Sequence, residues 1–98
     1  MTATKEELTT SIKQLLKHAY RQENSGKTCR NALLAACYPG HYKLDYGDLF
    51  SLDRQNTNAA LNILTYRLNT MDSVERLIGS EEFQKLHNCW AQDQDQNN

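Results

Sequence analysis

No stretch of apolar residues in this 98-residue chain approaches the roughly 18 to 20 needed to span a bilayer. The amino end also lacks the charged-then-apolar layout of a secretory signal, so a cytoplasmic location is expected. Cysteine is sparse: Cys29, Cys37 and Cys89 are odd in number and none stands in a C-x-x-C pair, a usage that points to free thiols. On one helix the eight-residue separation of Cys29 and Cys37 would set them about 12 Å apart, too far for a disulfide. A zinc site built from the three thiols and His87 matches no common ligand spacing, so neither metal nor cofactor is expected.

Recognisable catalytic chemistry is missing too. Gly26-Lys27-Thr28 has the form of the end of a phosphate-binding loop, but the glycine required five positions earlier is Arg21, and the preceding segment reads as helix rather than strand. The one local acid–base grouping is His41 with Asp45 or Asp48. Aspartates beside serine, tyrosine and glycine are turn formers and helix caps more often than catalysts. Asp45, Asp48 and Asp53 also miss the alternating spacing of a calcium loop. The chain is expected not to be an enzyme.

What is present is helical periodicity. Thr4-Lys5-Glu6-Glu7 forms a capping box, and Leu8, Ile12, Leu15, Leu16, Ala19 and Tyr20 then fall within an arc of about 100°. A helix over 5–22 is expected. Ser25 or Gly26 can cap a second helix over 27–38, whose Ala32 to Cys37 are apolar nearly all round and therefore suit a buried position. The lone proline, Pro39, stands before Gly40 and stops that helix. Tyr42, Leu44 and Tyr46 alternate like a strand, but Asp45 can cap a short helix over 46–51, which is the reading favoured here.

Asp53 can cap a third long helix over 54–69. Ala60, Leu61, Leu64 and Leu68 form its main stripe, and Ala59, Ile63 and Tyr66 project from nearly the opposite side. That second stripe is expected either to be covered by a neighbouring helix or to form a self-contact in a homodimer. Asp72-Ser73-Val74-Glu75 resembles another capping box, for a helix over 73–78 that Gly79 ends, and Phe83, Leu86 and Trp90 mark a last helix over 81–91. The expectation is an all-α, compact bundle of five to six helices, three of them longer, in one domain over 1–91 with a disordered polar tail over 92–98. Its core is expected to include Leu15, Leu16, Leu33, Leu49, Leu61, Leu64, Leu68, Phe83 and Trp90.

The formal net charge of −1 hides a division. Residues 13–43 carry Lys13, Lys17, Arg21, Lys27, Arg30 and Lys43 against Glu23 alone, whereas residues 45–98 are predominantly acidic. Lys13, Lys17 and Arg21 recur every fourth residue opposite the first apolar stripe, so these three, with Lys27 and Arg30, are the expected partner-binding residues. An isoelectric point near 6.3 is far from the strongly basic values typical of nucleic-acid binders. The apolar Ala32 to Cys37 is also unsuited to a recognition helix. A protein partner is therefore favoured, with a nucleic-acid-associated regulator as the alternative.

Read from Glu23 to Asp53, the stretches Glu23-Asn24-Ser25-Gly26-Lys27-Thr28, Ala32-Leu33-Leu34-Ala35, Leu44-Asp45-Tyr46-Gly47-Asp48-Leu49 and Leu52-Asp53 resemble a family of short uncharacterised bacterial proteins. That family is similar to proteins found on plasmids, integrative elements and phages. It has a Ser/Thr-Gly-Gln-Ser turn and a Phe-Asp-Leu-x-Asp-Leu segment. Lys27 here replaces the glutamine, and Tyr46-Gly47 departs from the usual Leu-Thr. The resemblance brings no established activity with it, but together with the small size, the missing catalytic constellation and the charge contrast it leads to the expectation of a non-enzymatic protein-binding module of a mobile genetic element or phage, with an anti-CRISPR-like inhibitor of a host defence complex as one form of it.

Overall fold

The computed structural model describes residues 4–70 and 74–96. Helices account for all of its regular structure: α1 (Lys5–Leu16), α2 (Asn24–Cys37), a single 3-10 segment (Tyr46–Ser51), α3 (Arg54–Asn69), α4 (Glu75–Ile78) and α5 (Ser80–Gln96). The all-α expectation holds, with four long helices rather than three. The strand-like alternation at Tyr42 to Tyr46 produces no strand among the described residues.

α1 starts as its sequence dictates. The Thr4 hydroxyl accepts from the Glu7 backbone N–H at 3.1 Å, and the Glu7 carboxylate accepts from the Thr4 N–H at 3.4 Å. It ends at Leu16, well short of residue 22, because the chain tightens into bonds from the N–H of His18 to the carbonyl of Leu15 and from Arg21 to His18. Bonds of this 3-10 type commonly close a helix end. The turn then meets α2 closely. A Cβ on Gly26 would stand 2.7 Å from the Arg21 carbonyl oxygen and 2.8 Å from that of His18, so only glycine fits without backbone movement. Glu23, not Ser25 or Gly26, is the N-cap residue of α2.

α2 is the central element. Cys29, Ala32, Leu33, Leu34, Ala36 and Cys37 are all buried, as an all-round apolar helix must be in a small domain. α1 lies antiparallel along α3, its register fixed by Gln14 donating to Asn56 at 2.9 Å and Asn62 donating to Ser11 at 3.1 Å. Leu8, Ile12 and Leu15 of α1 are buried, together with Ala59 and Ile63 of α3.

This placement covers the second α3 stripe, one of the two outcomes expected for it, and divides the main one. Ala59 and Ile63 belong to the core and Tyr66 is half-buried, so they are not free for a self-contact. Leu61 and Leu68, expected in the core, are 48 % and 86 % exposed. The polar pairs through Ser11, Gln14, Asn56 and Asn62 hold α1 on the Ala59–Ile63 side, and of the other stripe Ala60 is fully buried and Leu64 half-buried while Leu61 and Leu68 face outward. Leu15 and Leu33 are buried as expected, whereas Leu16, Leu49, Leu64, Phe83 and Trp90 are half-buried at the core margin.

Asp53 caps α3, its carboxylate accepting from the Asn56 N–H at 2.8 Å. The proposed cap residues Asp72 and Ser73 lie outside the described residues. Gly79 ends α4 at φ +96°, a conformation that glycine adopts without a Cβ penalty. α5 then runs through Gln96, so the first five residues of the expected disordered tail are helical, while 97–98 lie outside the described residues. Asp93 is buried there, held by a charge rather than by apolar patterning.

Candidate functional site

That charge is Arg30, whose side chain is fully buried. Its guanidinium donates to the Ala19 and Arg21 carbonyls and pairs with Asp93. It thus ties the α1–α2 turn, α2 and the end of α5 together. Arg30, expected as a partner-binding residue, is unavailable to any partner. Its Nε has no hydrogen-bond partner.

The rest of the basic group is dispersed. Lys13 and Lys17 are exposed, but α1 ends at Leu16, and Arg21 beyond it forms an exposed ion pair with Glu23 at 3.4 Å. Lys27 is half-buried on α2, beside a polar cleft of about 320 Å³ that includes Asn24, Thr28, Asn31, Asp48 and Ser51. The Gly26-Lys27-Thr28 sequence lies inside a helix that no strand precedes among the described residues, so the geometry of a phosphate loop is not formed.

The larger feature is an apolar groove of about 540 Å³. Ala35 and Ala36 near the end of α2, the 39–46 connection, Leu49 of the 3-10 segment, and Leu64, Arg67 and Leu68 of α3 line it. Its volume falls within the range typical of small-molecule pockets. Pro39 and Gly40 turn the chain over α2, and an aromatic cluster anchors the connection to α5. Tyr42 meets the Trp90 ring edge-on at 5.0 Å, and its hydroxyl bonds to His87 Nδ1 at 2.8 Å. Burial pushes the Tyr42 phenol above its ordinary value.

Beyond that anchor the connection presents apolar surface. Tyr46 and Phe50 are 77 % and 76 % exposed, and their rings meet edge-to-face at 5.4 Å. Tyr46 and Leu68 both line the groove, which therefore opens onto exposed aromatic and aliphatic side chains. Two bases also line it. Lys43 is exposed, and Arg67 donates from Nη1 to the Thr70 carbonyl at 3.2 Å while its Nε is buried without a partner. The Arg67 charge opposes, only weakly, the burial that pushes the neighbouring Cys37 thiol up to about 12.

A family of unknown function, DUF7673, matches residues 9–91. The chain belongs to DUF7673. Comparison with curated proteins and with solved structures finds no match. The DUF7673 region contains every residue that lines the groove, as well as Arg30.

Within this DUF7673 chain the other chemical candidates are committed elsewhere. His41 meets the Tyr42 ring edge-on and lies tilted to that of Trp90, with ring centroids at 4.7 Å and 6.2 Å. Cys29 and Cys37 are buried, Cys29 with its thiol pushed up to about 11 by burial. Among the described residues, no three His, Cys, Asp or Glu side chains converge closely enough to hold a metal ion. Sequence reasoning missed Tyr46, Phe50 and Arg67. The double striping of α3 was a signal for Arg67, which lies on that helix; no pattern singled out Tyr46 and Phe50.

Proposed function

We propose that this DUF7673 chain is a non-enzymatic protein-binding module that receives an apolar polypeptide segment in the groove beside α3. The carrying observation is the outward-facing Leu61 and Leu68 of that helix, Leu68 lining the groove beside the half-buried Leu64, with the exposed Tyr46–Phe50 pair next to it. Aromatic anchors beside an apolar slot are the usual energetic centre of protein interfaces. The resemblance to mobile-element proteins makes a host defence complex the first partner to test. The nucleic-acid alternative rests on the basic residues, and it loses support from the burial of Arg30 and the pairing of Arg21 with Glu23.

The test compares affinity capture from a host lysate by wild type, by Leu68→Asp, and by a Lys13→Glu/Lys17→Glu/Arg21→Glu variant. The proposal expects a protein captured by wild type and by the triple variant but lost with Leu68→Asp. A protein retained by Leu68→Asp and lost with the triple variant overturns it, as does salt-sensitive capture of nucleic acid alone.

A further inference from the structure

We propose that the segment received by the groove is the Tyr46–Phe50 turn of a second copy of this chain, so that two copies exchange turns across a twofold axis. The inference rests on the reading of the groove as a polypeptide-docking surface. Turn and groove are complementary in two independent respects.

The first is apolar. Tyr46 and Phe50 project from a 3-10 segment none of whose residues is buried. The groove beside them offers Leu64, Leu68 and the small Ala35 and Ala36, which leave room for a ring. The second is charge. Asp48 stands on the exposed turn between the two aromatic rings, whereas Lys43 and Arg67 outnumber Asp45 among the charged residues that line the groove. No ion pair joins Lys43, Asp45 or Asp48 to another described residue; the pairs present are Arg21–Glu23 and Arg30–Asp93.

The turn and the groove adjoin on one face, with Tyr46 belonging to both. A patch that carries a knob and its matching slot side by side is self-complementary, which is the condition for a closed twofold contact. Each interface then contains two ring insertions and two sets of acid–base contacts. A foreign acidic, aromatic segment satisfies the same chemistry, and the experiment separates it from a second copy.

Sedimentation velocity of the full chain is measured between about 1 and 100 μM, since assembly depends on protomer concentration. The weight-average mass is expected to rise from 11.3 kDa toward twice that value, with association weakening as salt rises. Phe50→Asp and Leu68→Asp are each expected to remain monomeric while keeping a wild-type helical circular dichroism spectrum. Exposed charges supply the decisive control. Lys43→Glu alone and Asp48→Lys alone should each weaken association about tenfold, and the combination in one chain should restore it, because each reversed residue then faces its reversed partner.

A wild-type monomer throughout the range overturns the inference, as does a dimer indifferent to Phe50→Asp and Leu68→Asp, or a double charge variant weaker than either single one. The failures remain distinguishable. A monomeric wild type that captures a host protein through Leu68 removes the second copy and keeps the protein-binding reading. A groove-dependent dimer whose host capture ignores Leu68→Asp keeps the second copy and removes the foreign partner from this site.

Discussion

Arg30 and Leu68 occupy each other's conventional places. The arginine is fully buried, while the leucine is 86 % exposed. Around Arg30, two backbone carbonyls and the Asp93 carboxylate converge, and these partners offset the cost of removing its charge from water. Around Leu68 no described helix closes over the side chain, since the polar contacts of α1 hold that helix on the Ala59–Ile63 side of α3. The difference shows that residue type sets the cost of a location, while the available neighbours decide whether that cost is met.

The largest expected effect comes from breaking the buried side of this contrast. Asp93→Ala leaves the Arg30 guanidinium buried without its counter-charge, and urea denaturation should show a loss of about 3 to 5 kcal/mol. An Arg30→Met/Asp93→Leu double variant should lose distinctly less, because no orphaned charge remains. Equal losses would mean that packing, rather than pairing, carries the contribution of Arg30.

A comparison within α3 is next. Ile63→Ala should cost about 2 to 5 kcal/mol by emptying a core site, whereas Leu68→Ala should change stability by no more than about 0.5 kcal/mol. Comparable losses at the two positions would show that the outer stripe is packed after all.

Alkaline pH extends the comparison to neutral buried groups. Burial raises the Cys29 and Cys37 thiols from 9.0 to about 11 and about 12. The unfolded chain therefore releases these protons first. Their contribution is fully present below the ordinary thiol range and is lost as pH rises from about 9 toward 11 and 12, where the unfolded state binds fewer protons than the folded one. Denaturation midpoints measured across that window should fall, and Cys29→Ala/Cys37→Ala should flatten the decline. An unchanged slope in the double variant would assign the decline to other groups.

The smallest effect belongs to exposed charge. Reversing Lys13, Lys17 and Arg21 to glutamate should leave the urea midpoint nearly unchanged, since exposed ion pairs such as Arg21–Glu23 contribute about 0 to 1 kcal/mol. A large drop would show that the basic residues support the fold.

Local sequence by itself determined the helical class, the Thr4 capping box, the Asp53 cap, the stop at Gly79 and the central burial of α2. Each depends on neighbours within about one helical turn or on the composition of a single face. Tertiary structure decided how far each α3 stripe faces inward, because Ala59–Ile63–Tyr66 and Ala60–Leu61–Leu64–Leu68 are both apolar at helical spacing. The seating of α1 through Ser11, Gln14, Asn56 and Asn62 buries Ala59 and Ile63, and of the other stripe only Ala60 is fully buried while Leu61 and Leu68 stay exposed. It also decided that Arg30 leaves the surface and that α5 continues to Gln96, since Ala19, Arg21 and Asp93 are distant along the chain and meet only in the folded molecule. Periodicity reports which faces can be buried, but burial of a charge requires several partners at once, and their convergence is a property of the assembled fold.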